Sequence, residues 1–95
     1  MPKRFTGDDE WDTGIEAKTP AGYVAVSYSG TLGGGTLRCY CEIDGVKVPV
    51  ANSKLSAAKT DTNGDVIQMM TITAAGKLYV VLVGSTTPDV TVAVR

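Results

Sequence analysis

The stretch "TLRCYCEIDGVKVPV", residues 36–50, decides the fold. Leu37, Cys39, Cys41 and Ile43 alternate with Thr36, Arg38, Tyr40 and Glu42. A period of two places the first set on one face of a strand and the second on the other. Asp44-Gly45 follows, a dipeptide suited to a two-residue turn that needs positive φ. Val46, Val48 and Val50 then resume the alternation, so the stretch reads as a hairpin. Pro49 has no N–H to give to a ladder, which assigns the second strand to a sheet edge.

The same period runs outward in both directions. "YVAVSYS" (23–29), "DVIQMMTIT" (65–73), "KLYVVLV" (77–83) and "DVTVAVR" (89–95) read as strands. "TGIEAK" (13–18) is a weaker one, with Ile15 and Ala17 inward. Asn63-Gly64 and Ala75-Gly76 are further turn signals, and Pro20, Gly22 and "STTPD" (85–89) punctuate the remainder. "ANSKLSAAKT" (51–60) suits a short helix or an irregular crossover between sheets. About six to eight short strands separated by turns predict an all-β antiparallel β-sandwich with no long helix. A small closed β-barrel is the alternative. Residues 1–12 read as an extended N-terminal arm and residues 13–95 as a single domain.

Composition narrows the function classes. Ninety-five residues suffice for one modest core, built here from Val, Ile, Leu and Ala because aromatics make up only 6%. Nine basic and ten acidic residues leave a net charge of −1, with no surplus to neutralise a run of phosphates, so no nucleic-acid partner is expected. No stretch approaches the roughly 20 apolar residues of a membrane-spanning helix, and "MPKRFTGDDEWDTG" lacks the apolar segment of a secretory signal. Two cysteines are no disulfide framework, which suits a chain made in reducing cytoplasm. There is no histidine, the commonest general base and metal ligand.

Each candidate site has a plainer reading. "GGG" (33–35) runs into a strand, with no Lys after it and no helix, so it does not match a phosphate-binding loop. It reads as a flexible hairpin loop between strands 23–29 and 36–43, or as a loop that lies against a partner. Cys39 and Cys41 point the same way on one strand and lack the two further ligands of a zinc site, so they read as core. Asp8, Asp9, Glu10, Asp12 and Glu16 read as a solvated or docking arm rather than paired catalytic carboxylates. "DTNGD" (61–65) opens like a calcium loop but has Val66 and Ile72 where a glycine and an acid are needed. No Ser or Cys has a visible base partner, so no enzyme, metal or cofactor is expected.

Strand 77–83 stands apart. Leu78, Val80 and Leu82 suit the core, yet Tyr79, Val81 and Val83 on the opposite face are apolar too. Either the N-terminal segment covers that face or another subunit does.

Residues 27–95 resemble the small β-sandwich virion accessory proteins of tailed bacteriophages. The resemblance is carried by "SYSGTLGGGTLRCYCEIDG" (27–45), where a glycine-rich turn opens an alternating strand closed by Asp-Gly. It continues in "KLYVVLV" and "VTVAVR", with the chain ending on the last strand. The resemblance implies a non-enzymatic structural protein of the virion, made in the host cytoplasm. Its role would be capsid decoration: a small symmetric homo-oligomer that binds the major capsid protein and stabilises the shell. A head-fibre or tail-associated module that recognises host-surface carbohydrate is the alternative. Lys3, Arg4, Phe5 and Trp11 are then the expected contacts to the virion, and Tyr79, Val81 and Val83 the expected contacts between protomers.

Overall fold

The computed structural model describes residues 2–17 and 23–95. Eight antiparallel strands run through them: β1 (Pro2–Phe5), β2 (Asp9–Ala17), β3 (Tyr23–Thr31), β4 (Thr36–Ile43), β5 (Val46–Ser56), β6 (Met69–Thr73), β7 (Gly76–Val83) and β8 (Asp89–Val94). They form two four-stranded sheets, ordered β1-β8-β3-β6 and β2-β7-β4-β5. The expected sandwich is therefore present, and the sheets stay open at β1, β6, β2 and β5 rather than closing into a barrel. Of the connections between consecutive strands, only β4–β5 stays within one sheet, and every other one crosses to the opposite sheet. This order is that of an eight-stranded jelly roll.

The core lies between the sheets and follows the alternation strand by strand. Val24, Val26, Tyr28, Val90, Val92 and Val94 face inward from one sheet, and Leu37, Cys39, Cys41, Leu78, Val80 and Leu82 from the other. Each such aliphatic side chain contributes roughly 1.5–3 kcal/mol by leaving water. Asp44 (φ 51°) and Gly45 (φ 80°) form the expected positive-φ turn, and Pro49 lies on edge strand β5.

Five details differ from the sequence reading. Residues 1–12 are not an arm set apart from residues 13–95. Pro2–Phe5 pairs with β8, Asp9–Ala17 spans the proposed boundary, and the Phe5 side chain is 1% exposed within the core. The physical reason is that the alternation of Lys3 and Phe5 against Pro2 and Arg4 already fits an edge strand beside Val90 and Val92. The "GGG" loop is no hairpin, since β3 and β4 belong to different sheets. It is packed instead: a Cβ on Gly33 would sit 2.3 Å from the Thr86 carbonyl oxygen, and the Thr86 N–H donates to Gly33 O at 2.9 Å.

Segment 51–60 is neither helix nor crossover at its start, because β5 continues to Ser56. A bulge lies between the Arg38–Lys54 and Tyr40–Pro49 pairs, and the buried Ser53 hydroxyl reaches the Val50 carbonyl at 2.6 Å within it. The Cys39 N–H, left without a ladder partner there, donates to Ser53 Oγ at 3.4 Å. Finally, strand 65–73 shortens to Met69–Thr73. Asp65 instead joins a turn in which Asp61 Oδ1 accepts from the N–H groups of Asn63 and Asp65. Ala75-Gly76 does not close a hairpin but turns the chain from one sheet into the other. The Pro20 and Gly22 signals lie outside the described residues, as does the side chain of Ala17.

Candidate interaction surface

The chemistry-bearing residues are used structurally. Cys39 and Cys41 are buried free thiols, and burial, with Cys41 adding to it, pushes the Cys39 thiol up to about 12. Asp8 accepts hydrogen bonds from Gly84 N at 3.2 Å, from Ser85 N at 2.9 Å and from the Ser85 hydroxyl. Those bonds, the hydroxyl first, hold its carboxyl below the usual range. They fasten the β1–β2 turn to the β7–β8 loop. Two shallow clefts are present. One, of about 280 Å³, is lined by Tyr28, Leu32, Ala57, Val66 and Gln68, and the other, of about 360 Å³, by Pro2, Ser27, Met69 and Arg95. Neither brings a nucleophile beside a base. Among the described residues, no group of three or more acidic, cysteine or histidine side chains is placed to hold a metal. No helix there is long and apolar enough to cross a membrane.

What the fold does present is two surfaces on the β2-β7-β4-β5 sheet. The first is the end of the β4–β5 hairpin. Ile43 faces Val46 and Cys41 faces Val48 in register, so these side chains continue the core face. Cys41 is buried, but the opposite sheet leaves the other three uncovered: Ile43 is 48% exposed, Val46 61% and Val48 42%. The hairpin carries its apolar face out beyond the sandwich.

The second surface is the outer face of the same sheet. Tyr79, Val81 and Val83 lie on it, as the alternation requires, and β2 runs beside β7 in the same sheet rather than over this face. Tyr79 is directly paired with Tyr40, and Val81 with Arg38. The charges are sorted by column. β2 presents Glu10, Asp12 and Glu16, paired in turn with Val81, Tyr79 and Lys77. β5 presents Lys47 and Lys54, paired with Glu42 and Arg38. The Lys47 ammonium lies 4.0 Å above the centre of the Tyr79 ring and pairs with Glu10. The Tyr79 hydroxyl donates to Glu42 at 3.1 Å, and Lys77 pairs with Asp12 at 3.5 Å. The hydrogen bond to Glu10 raises the Lys47 pKa, while burial, followed by Glu42, raises that of Tyr79. Arg38 Nε is buried without a hydrogen-bond acceptor among the described residues.

The four residues expected to contact the virion do not form one exposed patch. Phe5 is interior and unavailable, and Trp11 packs half-buried against the core. Lys3 leans over the Phe5 ring at 5.6 Å with its ammonium 3.8 Å from Asp9. Arg4 Nε donates to Asp89 at 2.8 Å, which raises the Arg4 pKa and lowers that of Asp89. Tyr40 and Arg38 belong to the candidate surface, although the sequence alternation places them only on the face of β4 opposite Cys39 and Cys41. Their pairing with β7 is long-range, and no local pattern announces it. Comparison with known protein families, curated proteins and solved structures returns no match.

Proposed function

We propose that this chain is a non-enzymatic structural protein of a phage particle, a capsid decoration protein that binds the outside of the shell as a small symmetric oligomer. The resemblance of residues 27–95 to virion accessory proteins supplies the setting. The single observation that supports docking is the exposed apolar row Ile43, Val46 and Val48 on the hairpin closed by the Asp44-Gly45 turn. Contiguous exposed apolar side chains mark surfaces that become buried against a partner. Binding the intact shell more tightly than the opened one stabilises the shell by mass action.

The test adds purified protein to undecorated capsids and images them. Stoichiometric decoration that follows the capsid symmetry, with a raised shell-disruption temperature, is the expected result. A chain that ignores capsids but is retained on a glycan column overturns it in favour of the carbohydrate-binding reading. One observation favours that second reading: Tyr40 and Tyr79 are neighbours on a face with polar groups around them. The Lys47 ammonium, however, occupies the side of the Tyr79 ring on which a sugar would stack.

A further inference from the structure

We propose that two copies of this chain pair face to face through the outer surface of the β2-β7-β4-β5 sheet, about a two-fold axis parallel to the strands and midway between β7 and β4. The inference deepens the oligomer part of the proposed function but rests on this face alone, independently of capsid binding.

The outer face is sorted by charge. The face runs from an acidic column on β2, through Tyr79, Val81, Arg38 and Tyr40, to a basic column on β5. Stacked sheets keep their strands within about 30° of each other, so the choice lies between two in-plane axes. A two-fold across the strands would lay β2 on β2 and set Glu10, Asp12 and Glu16 against their own copies. A two-fold along the strands lays β2 on β5 and β7 on β4. Every cross-strand row then meets itself reversed. Glu10–Val81–Arg38–Lys54 places Glu10 opposite the second copy's Lys54, and Glu16–Lys77–Glu42–Lys47 places Glu16 opposite its Lys47 and Lys77 opposite its Glu42. Tyr79 comes over the second copy's Tyr40. Only this axis makes the patch self-complementary, the requirement for an isologous dimer.

Two independent observations agree. Among the described residues, Glu16 and Lys54 have no ion-pair partner within the chain, and pairing supplies both. The Arg38 guanidinium carries a buried Nε without an acceptor. In the pair the residue lies opposite Val81 and beside Glu10 of the second copy, which sets a carboxylate near its positive charge. The Lys47–Glu10 contact over Tyr79 opens on pairing. An exposed ion pair contributes little, so it is readily exchanged for contacts to the second copy.

Sedimentation velocity over a concentration series, without capsids, tests the pairing in wild type, E10K and K54E. Wild type is expected to form a dimer, and each variant, now setting like charges against each other, to weaken it at least tenfold with an unchanged β-sheet spectrum. Mixing E10K with K54E is expected to restore a heterodimer, because both Glu10–Lys54 contacts are then between opposite charges. Rescue by mixing cannot come from a contact within one chain. A wild type that stays monomeric, variants that pair as wild type does, or a mixture that fails to pair would each overturn the arrangement. A monomer that still decorates capsids refutes the pairing alone, whereas a dimer that ignores capsids refutes the decoration reading alone.

Discussion

Cys39 shows how a residue that suggests chemistry can be placed to have none. Its thiol is fully buried, and removal from water disfavours the thiolate so strongly that its pKa lies near 12. The thiolate is the reactive form, so alkylating reagents at pH 8 should leave this cysteine in the native protein unlabelled. Labelling should appear with the same urea midpoint as loss of the β signal, and rapid native labelling would refute the burial. The three glycines separate two further effects. Gly34 has φ 78° with nothing near its Cβ position, so G34A should cost about 1–2 kcal/mol from backbone strain alone. Gly33 adds a carbonyl 2.3 Å from that position, so G33A should cost clearly more in the same urea titration. Asp8 gives a pH dependence with a definite sign. Its folded pKa lies below the ordinary 3.8, so its stabilisation is complete above that value and is lost as pH falls below it. D8N should flatten the decline in melting temperature on acidification below pH 3.8. An unchanged acid limb would show that the Asp8 contacts to Gly84 and Ser85 are not made.

At the scale of elements, strands were legible where side chains alternate and connections were legible only where the turn is local. β4, β7 and β8 could be read almost residue by residue, because a strand between two neighbours exposes one face to the core and one to water. Asp44-Gly45 announced the β4–β5 hairpin because two consecutive positive-φ residues admit few other uses. The remaining connections carry no such mark, since crossing from one sheet to another is decided by which distant strand offers a free edge. β1 is the clearest loss. Four residues beside an acidic run look like an arm until β8 is known to lie next to them. Deleting residues 1–5 should therefore remove more than a docking segment. It uncovers one side of β8 and takes Phe5 out of the core, a loss of about 3–5 kcal/mol for the side chain alone. Set against the roughly 5–15 kcal/mol of a typical domain, this should lower the melting temperature by tens of degrees or abolish the transition. A truncated chain that melts like wild type would restore the arm.

For the molecule as a whole, the two surfaces on one sheet lie at different places and have different chemistry. The hairpin end is apolar and comes from core-face residues that overhang the sandwich. The outer face of the sheet is charge-sorted around a pair of tyrosines. Pairing through the outer face leaves the hairpin ends of both copies free, so a dimer offers two docking rows where a monomer offers one. On the proposed decoration reading, two contacts to a repeating shell would act together, because the second forms at the high local concentration set by the first. The two surfaces should consequently be separable by substitution. Val46 and Val48 are exposed in the chain, and changing them should alter stability by no more than about 0.5 kcal/mol each, as for surface positions generally. V46D/V48D should therefore melt and dimerise like wild type, yet show at least a tenfold loss of capsid occupancy, since docking would bury two carboxylates in an apolar contact. K54E should do the reverse in part: intact docking of single copies, with occupancy that falls only by the factor that pairing contributes. Capsid occupancy measured against free protein concentration distinguishes the two curves. A V46D/V48D chain that decorates as wild type does would remove the hairpin from the docking surface.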